Sequence, residues 1–483
     1  MIPSPALSLL LQPGCGHPDP PALLPTADTA YVGTGDLDAD CVADRGHALM
    51  FTCRIHLDEP DEVRVEAWHL SDPSRIRVFT GKGPALEHSL LLWGFKPDAR
   101  VRWRASSSSL HRTGELHTGP LPDELAVTWE IQALTDDAQV EGVLVSTTCA
   151  PGIPHLLDRD GDIVWYAELA SLVPGEPPRF LPAVQRTERD TILMISDRSR
   201  VIELSLGGEV LLDLRRGIDF DRYIHHDVLR HGDRIYVPRV QQISDQDEAF
   251  LIDGIYVFDD SGALVGELST QGLWPLPQNP WALEGYWAML FPGAYDVTHA
   301  NSLSIDARGD LVVSFRHLHA LVGFQADPDA PGFGAQRWAL VGDPQSPAAP
   351  GDVLLTAEPG IGTGFMGQHD ANFAPDGTLL MLDNRFTSNE DARVLQLTVD
   401  LEAQTAHIQE SWSLDRVCPV QGSARALPAG HVLADCSTGG HLYELAPGSA
   451  SLRWHAVAGC APGLPTPSVP RAVPWPLWGK QTP

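Results

Sequence analysis

The alternation of apolar and polar positions predicts short β-strands along nearly the whole chain. From about residue 125 onward, a turn containing Gly or Asp leads six times into an apolar strand, beginning at Gly142, Asp190, Gly232, Gly309, Gly377 and Gly430. A second turn and strand follows each time, beginning at Asp160, Gly208, Gly262, Gly334, Ala403 and Gly448. Two hairpins repeated in this way are typical of a β-propeller. The pattern therefore predicts an all-β fold with a six-bladed β-propeller over residues 125–465.

The first part of the chain has a different pattern. Apolar and polar residues alternate within Glu62–Trp68, Ser89–Gly94 and Ala99–Arg104, as they do in half-buried strands. We expect residues 41–120 to form a small β-sandwich domain, loosely similar to a fibronectin module, ahead of the propeller. Residues 1–40 are interpreted as a leader or tether and residues 466–483 as a Pro-rich tail.

The charge balance narrows the range of partners. The chain has 33 Lys and Arg against 63 Asp and Glu, which gives a net charge of −30. Such a surface repels phosphate backbones, so nucleic acid is excluded as an expected partner. It also repels small anions, so an anion-binding site in this protein needs positive charge of its own.

The seven cysteines favour an exported protein. Cys15 follows an apolar run and a small residue, which resembles the end of a bacterial lipoprotein signal and makes Cys15 a candidate lipid anchor. The other six can form three disulfides outside the cytoplasm, and Cys418 and Cys436 on either side of Ser423 are one candidate pair. We expect a periplasmic or cell-surface protein; a cytosolic protein with free thiols is the alternative. No apolar run is long enough for a transmembrane helix.

A histidine recurs at a similar place in three units of the repeat. His226, His299 and His369 lie 6, 10 and 8 residues before the Gly turn that follows each of them, and Ser423 lies 7 before its own turn at Gly430. We therefore expect these residues on equivalent first strands of four blades, with their side chains near the axis. A single such histidine is more often structural, but three in register point to a functional site.

Arg316 adds a positive charge to this site. It ends the strand predicted over Leu311–Arg316, which pairs with the strand that bears His299. A guanidinium group at a channel mouth can hold a tetrahedral anion through its planar fork of donors, although a surface salt bridge is the alternative in so acidic a chain. Since a neutral imidazole is a nucleophile near neutral pH, histidines beside an arginine suit the transfer of a sulfuryl group.

The chain resembles the bacterial arylsulfate sulfotransferase family over about residues 125–460. The resemblance rests on the motifs His-His-Asp at 225–227, His-x-Asn-Ser at 299–302, Ser-x-Arg at 314–316, Gly-Gln-His-Asp at 367–370, Asp-Asn at 383–384 and Gly-Ser at 422–423. Known members are periplasmic six-bladed propellers with a small N-terminal β-sandwich. The resemblance implies sulfuryl transfer from an aryl sulfate donor to a phenol acceptor, without a nucleotide sulfate donor. We expect no cofactor.

The resemblance also implies roles for individual residues. His369 is the expected nucleophile, which forms a transient sulfohistidine and so leads to ping-pong kinetics. His226, His299 and Arg316 are the other expected catalytic residues. Either His226 or His299 exchanges the proton of the phenol, and the sequence leaves that choice open.

Three further residues are predicted to bind substrate, namely Asn301, Ser423 and His225. His226 is preferred over His225 as the catalytic member of the pair, because its His-Asp context matches that of His369 and Asp370. On a strand, the side chain of His225 would point to the opposite face.

Two other functions fit the same pattern. Three or four histidines on a propeller axis can hold iron or zinc, but a cationic Arg316 beside a metal is unfavourable, so we expect no metal. A non-catalytic propeller that binds a carbohydrate or a protein is the second alternative. The phrase Asp158–Asp162 has the character of a calcium loop but lacks the downstream Glu of an EF-hand, which favours a simple blade turn.

Overall fold

The computed structural model describes residues 35–44, 46–175, 178–276, 286–343, 346, 352–385, 390–449, 451–464 and 466–481. Nearly all regular structure in these ranges is strand, apart from a short helix, α1 Leu169–Leu172, and a 3-10 turn, Pro428–Gly430. The all-β prediction is confirmed.

Residues 35–117 form two sheets. Their strands are β1 Gly35–Asp36, β2 Asp38–Ala43, β3 Phe51–Asp61, β4 Arg64–His69, β5 Asp72–Thr80, β6 Ala85–Leu92, β7 Arg100–Ser106 and β8 Leu110–His117. The smaller sheet has the order β2-β3-β6, and the larger one contains β1-β8-β7-β4-β5. β1 and the start of β2 fall within the range predicted as a leader. Residues 1–34, including the candidate anchor Cys15, lie outside the described residues.

Residues 127–475 form six mainly antiparallel sheets, which we number as blades 1 to 6. β9 is Val127–Leu134, and blade 1 contains β10 Gly142–Thr147, β11 Ala150–Asp158 and β12 Ile163–Tyr166. Blade 2 contains β13 Ala183–Arg186, β14 Ile192–Ser196, β15 Arg200–Leu204 and β16 Val210–Arg215. Blade 3 contains β17 Leu229–His231, β18 Arg234–Asp245, β19 Glu248–Asp259, β20 Leu264–Ser269 and the added β21 Tyr295–Asp296.

The remaining blades follow the same plan. Blade 4 contains β22 Ala300–Ile305, β23 Leu311–Phe315, β24 Ala320–Phe324 and β25 Gln336–Val341. Blade 5 contains β26 Leu354–Ala357, β27 His369–Phe373, β28 Leu379–Asp383, β29 Arg393–Asp400 and β30 Thr405–Ser413. Blade 6 contains β31 Ser423–Ala426, β32 Val432–Cys436, β33 His441–Leu445 and β34 Leu452–Cys460. Two strands follow, β35 Ala472–Trp475 and β36 Gly479–Gln481.

The turn-and-strand phrases of the sequence coincide with the second and fourth strands of these six blades. Each blade therefore has the two hairpins that the repeat predicts. The first strands, β35, β13, β17, β22, β27 and β31, each lie at one end of their sheet. Contacts join β13 to β35, β35 to β31, β31 to β27, β27 to β22 and β22 to β17. Gln185 Nε2 donates to Asp227 Oδ1 at 2.9 Å between blades 2 and 3, so the first strands surround one axis, as in a propeller.

The two ends of the propeller region close this ring. β35 pairs with β10 as the first strand of blade 1, and β9 pairs with β34 on the outside of blade 6. The range predicted as a Pro-rich tail, 466–483, thus contains a structural strand. The apolar–polar alternation of β35 is obscured by the prolines around and within it, Pro470, Pro474 and Pro476. A first strand tolerates proline because one of its edges is unpaired, so a missing N–H there costs little.

The N-terminal sheets and the propeller share an apolar core. One cluster of buried side chains runs from Phe51 and Trp93 in the N-terminal sheets to Trp165 and Trp475 in blade 1 and Met194 in blade 2. The division of the chain near residues 120–125 into two domains therefore stays a prediction.

Six cysteines form three disulfides, as the sequence predicts. The pairs are Cys41–Cys53, Cys149–Cys460 and Cys418–Cys436. Three disulfides are consistent with an exported protein. In the part of the chain that the structure describes, no helix is long and apolar enough to cross a membrane.

Candidate active site

The three histidines lie where the chain enters blades 3, 4 and 5. His226 and His299 precede β17 and β22 in left-handed backbone conformation, with φ of 58° and 51°. His369 opens β27, and the left-handed residue there is the next one, Asp370, with φ of 53°. The expectation of equivalent positions on three first strands is therefore wrong in detail. The reason is local irregularity, since β-bulges interrupt the pairing of β22 after Ala300 and of β27 after His369.

Their imidazole rings nevertheless converge. The ring centres of His226 and His299 are 4.7 Å apart, and those of His226 and His369 are 5.9 Å apart. All three residues are buried. A left-handed residue other than glycine costs about 1–2 kcal/mol, and such strain is concentrated at functional sites. The chain thus bends at two of these positions to bring the rings together.

His369 presents one nitrogen without a partner. Its Nδ1 lies 2.7 Å from the carbonyl oxygen of Gly422, and because a carbonyl only accepts, Nδ1 carries the hydrogen. Nε2 therefore holds the lone pair, and it is buried with no hydrogen-bond partner among the described residues. Burial, together with the positive charges of Arg471 and Arg316, lowers the pKa of His369 well below its usual value. The ring is neutral near neutral pH.

A hydrogen-bonded chain behind His226 determines which of its nitrogens carries the hydrogen. His225 Nε2 lies 2.9 Å from Asp253 Oδ1, and His225 Nδ1 lies 2.8 Å from His226 Nδ1. Burial alone raises the pKa of Asp253, but His225 and hydrogen bonds from Ala300 and Thr298 lower it overall. A carboxylate at Asp253 requires the hydrogen on Nε2 of His225, so His226 donates through Nδ1. His226 Nε2 is then an acceptor.

His299 is bonded differently. Its Nδ1 lies 2.5 Å from Asp296 Oδ2, and its ring lies 4.6 Å from that of His317. His317 Nδ1 donates to the backbone oxygen of Asp296 at 2.7 Å. Burial raises the pKa of Asp296 to about 7, and burial with the charge of Arg316 lowers the pKa of His299 to about 3. Asp296 can therefore accept from His299 or, when protonated, donate to it.

Arg316 lies one residue beyond β23. Its backbone N–H donates to the oxygen of His299 at 3.1 Å. Its guanidinium group donates to the carbonyl oxygens of Gly367 at 3.3 Å and Pro419 at 2.7 Å. Burial lowers the pKa of Arg316 to about 10, so it remains a cation near neutral pH. Two loops thus hold a positive charge beside the imidazoles.

A cavity of about 790 Å³ opens onto these groups. Its lining consists of Phe180, Asp197, Arg198, His226, Tyr286, Asp296, His299, Arg316, His317, His369, Pro419, Val420 and Gln421. This volume suits a small aromatic molecule. All four predicted catalytic residues therefore line the same cavity.

The residues predicted to bind substrate are not among those that line this cavity. Asn301 Nδ2 donates to Gln368 O at 2.6 Å, and Ser423 Oγ donates to Ala472 O at 3.2 Å, so both join neighbouring first strands. His225 lies behind His226. Substrate contact by these three residues stays a prediction.

Asp227 and Asp370 form ion pairs with arginines of neighbouring elements. Asp370 accepts two hydrogen bonds from Arg425, and Arg471 donates to Asp227 and lies 3.3 Å from Asp370. These buried ion pairs support the turns that carry His226 and His369.

Sequence reasoning missed several polar groups of the cavity, among them Asp296, His317, Tyr286 and Arg198. Asp296 and His317 each lie within three residues of a predicted site residue, and that proximity was the available signal. Tyr286 belongs to the long insertion between blades 3 and 4, whose residues 277–285 lie outside the described ranges. Arg198 had no signal, because it lies in an ordinary-looking hairpin turn of blade 2.

A family model for arylsulfotransferase (ASST) matches residues 131–433. The chain belongs to the arylsulfotransferase family. The match contains the three converging histidines and Arg316, and it confirms the resemblance seen in the motifs. Membership of the arylsulfotransferase family supports a transferase activity for this chain.

Comparison with other proteins adds little to this. A search of curated proteins finds no match. A protein of unknown function from Bacteroides caccae is 12% identical, with a TM-score of 0.39, and the match covers 69% of this chain and 98% of that one. Virginiamycin B lyase from Staphylococcus aureus is 8% identical, with a TM-score of 0.37, over 69% of this chain and 100% of the lyase. Likeness at this level carries no argument about the activity of this arylsulfotransferase family member.

Proposed function

We propose that this protein is an arylsulfate sulfotransferase that works through a sulfohistidine at His369. The observation that carries the proposal is the unpartnered, buried Nε2 of His369, whose lone pair faces a cavity that also holds Arg316. A buried neutral imidazole beside a fixed cation is suited to attack an anionic sulfuryl group, because the cation offsets the repulsion.

In the first half-reaction, His369 Nε2 attacks the sulfur of the aryl sulfate. The N–S bond forms as the bond between sulfur and the aryl oxygen breaks, and the leaving phenolate takes a proton. Arg316 stabilises charge on the sulfuryl oxygens. Gly422 O keeps the hydrogen on Nδ1, so the sulfated ring stays a good leaving group for the second step.

We assign the exchange of the phenol proton to His299. Its Nδ1 partner, Asp296, can either accept or donate, so His299 Nε2 can act first as a donor to the leaving phenolate and then as an acceptor. The hydrogen-bonded chain behind His226 ends at the carboxylate of Asp253, so the Nε2 of His226 can only accept. In the second half-reaction, His299 takes the proton of the phenol acceptor, whose oxygen attacks the sulfur and restores free His369.

The test is to trap the intermediate. Incubation with para-nitrophenyl sulfate is expected to add a single sulfuryl group to a peptide containing His369, and phenol is expected to remove it. Intact-mass and peptide measurements at mildly basic pH detect the adduct. His369→Asn should lose at least about 1,000-fold in turnover and form no adduct. His155→Asn is the matched control, since His155 is also buried and also donates through Nδ1 to a backbone oxygen, that of Ile153.

The result that overturns the proposal is an adduct elsewhere in the wild-type protein, or turnover that survives in a folded His369→Asn variant. Near-ultraviolet circular dichroism establishes folding of the two variants. No adduct on any residue of the wild-type protein likewise contradicts it.

A metal-dependent enzyme is a second candidate. Ligand atoms of Asp296, His299 and His317 lie within 4.8 Å of one another, a set that can hold a divalent cation. Arg316 beside them disfavours a cation, as argued from the sequence. Elemental analysis separates the two functions: a stoichiometric metal whose removal abolishes turnover supports this candidate, whereas full activity of metal-free protein supports sulfuryl transfer.

We further propose that the protein works in the periplasm or at the cell surface. The support is the set of three disulfides, which persist in oxidising compartments. Fractionation of producing cells, with thiol alkylation before lysis, tests this. Cytoplasmic protein with six reactive thiols contradicts it.

A further inference from the structure

The cavity contains a second guanidinium group, that of Arg198. Its Cζ lies 3.8 Å from the centre of the Tyr286 ring, and that ring lies 4.6 Å from the ring of His226. Arg198 thus reaches the histidines through an aromatic ring, whereas Arg316 adjoins His299 directly. Arg316 contributes to the lowered pKa of His226, His299 and His369. The positive charge of the cavity therefore has two separate centres.

Arg198 is positioned but not neutralised. Within the ranges that the structure describes, no carboxylate forms an ion pair with it, and its Nε is buried without a hydrogen-bond partner. Asp197, next to it in the chain, directs its carboxylate to the backbone N–H groups of Arg179 and Phe180. Arg198 itself has a left-handed backbone, with φ of 58°, and its side chain lies over the Tyr286 ring.

We infer that Arg198 selects an aromatic substrate that bears a carboxylate in addition to the reacting oxygen. This rests on the proposed function, in which Arg316 holds the sulfuryl group at the other centre. A planar guanidinium group binds a carboxylate with two parallel hydrogen bonds, and its stacking on Tyr286 holds that plane in place. In a chain of net charge −30, such a substrate enters only where a cation inside the cavity attracts it.

The cavity also has apolar lining. Tyr286, Phe180 and Val420 line it together with the charged groups. An aromatic ring against these side chains places a phenolic oxygen towards His299 and His369 and a carboxylate on the ring's other side towards Arg198. The substrate class is therefore a phenol carboxylate, as acceptor or, once sulfated, as donor.

The test compares two acceptors that differ only in charge, para-hydroxyphenylacetate and para-hydroxyphenylacetamide. Wild-type protein is expected to prefer the carboxylate by about tenfold in kcat/KM and in affinity measured by titration calorimetry. In Arg198→Met, which keeps the length and the apolar contact of the side chain, the preference should fall to about twofold or less. Arg179→Met, an exposed arginine beside the cavity rim, is the matched control and should keep the preference.

Two results overturn the inference. One is a wild-type protein with no preference between the acceptors. The other is an Arg198→Met variant that loses activity on both acceptors equally and keeps the preference, because Arg198 then only positions Tyr286. Calorimetry needs no turnover, so a preference in binding that Arg198→Met abolishes, in a protein that forms no sulfohistidine, refutes the proposed function and leaves Arg198 as the carboxylate site.

Discussion

At the scale of single residues, hydrogen bonds decide what each histidine of the site can do. Gly422 O keeps a hydrogen on His369 Nδ1. Asp253, acting through His225, fixes the tautomer of His226 that carries its hydrogen on Nδ1. These partners are distant in the chain, so three histidines with similar sequence contexts acquire different chemistry. Asp296 is the partner that leaves His299 able to exchange a proton.

Replacing Asp296 with Asn tests this difference. The amide fills the same space but can neither give up a proton to His299 Nδ1 nor take one from it, so the proton relay through His299 is lost. We expect kcat to fall about 10- to 100-fold while KM for para-nitrophenyl sulfate changes little. Steady-state kinetics with phenol as acceptor measure both. Asp306→Asn is the control, since Asp306 is a buried carboxylate that accepts from Trp338 outside the cavity. Wild-type kcat in Asp296→Asn contradicts the role of Asp296.

At the scale of elements, the site is built by the entries to first strands rather than by the strands themselves. The bulges in β22 and β27 and the left-handed turns before β17 and β22 aim side chains at the axis. The strands need rigid neighbours to hold these turns. Elsewhere in the ring, the disulfide Cys149–Cys460 joins the turn after β10 in blade 1 to the end of β34 in blade 6 and so links the first and last blades covalently.

The disulfides should therefore contribute unequally to stability. Cys149 and Cys460 are 311 residues apart, whereas Cys41 and Cys53 are 12 apart, and a longer closed loop removes more entropy from the unfolded chain. We expect replacement of both Cys149 and Cys460 with Ser to lower the free energy of unfolding by about 2–5 kcal/mol. Replacement of both Cys41 and Cys53 with Ser should lower it by less. Urea unfolding without reductant measures both. An equal or larger loss for the shorter loop contradicts this expectation.

At the scale of the whole molecule, the N-terminal sheets and the propeller are held by charge as well as by their shared core. The turn between β11 and β12 is the phrase Asp158–Asp162 that has calcium-loop character in the sequence. Lys96 Nζ, from the segment between β6 and β7, lies 3.3, 2.8 and 2.7 Å from carboxylate oxygens of Asp158, Asp160 and Asp162. A lysine of the N-terminal part thus takes the position of a cation in a blade turn.

Lys96→Met should weaken the attachment of the two parts. It leaves three neighbouring carboxylates without their shared cation, while about a quarter of the lysine side chain is exposed in the wild type. We expect the free energy of unfolding to fall by about 1–3 kcal/mol, with limited proteolysis cutting first between the two parts. The exposed Lys82 provides the control variant Lys82→Met. Unchanged stability and an unchanged proteolysis pattern contradict this role.

Periodicity in the chain predicted the strands well. A turn followed by a two-residue alternation of apolar and polar side chains is a signal that depends only on neighbouring residues. The second and fourth strands of each blade carry this signal. First strands were harder to place. β17 has three residues and β35 contains a proline, so neither shows a clear alternation.

The sequence by itself determined that the chain is all-β, that a repeat builds it, and that three histidines and Arg316 recur at related places in that repeat. Only the tertiary structure decided which imidazole nitrogen is free, that Asp296, His317, Tyr286 and Arg198 share the cavity, and that β35 closes the ring. The reason is the range of the interactions. Turns and alternation depend on neighbouring residues, whereas the hydrogen on an imidazole and the lining of a cavity depend on groups that only folding brings together.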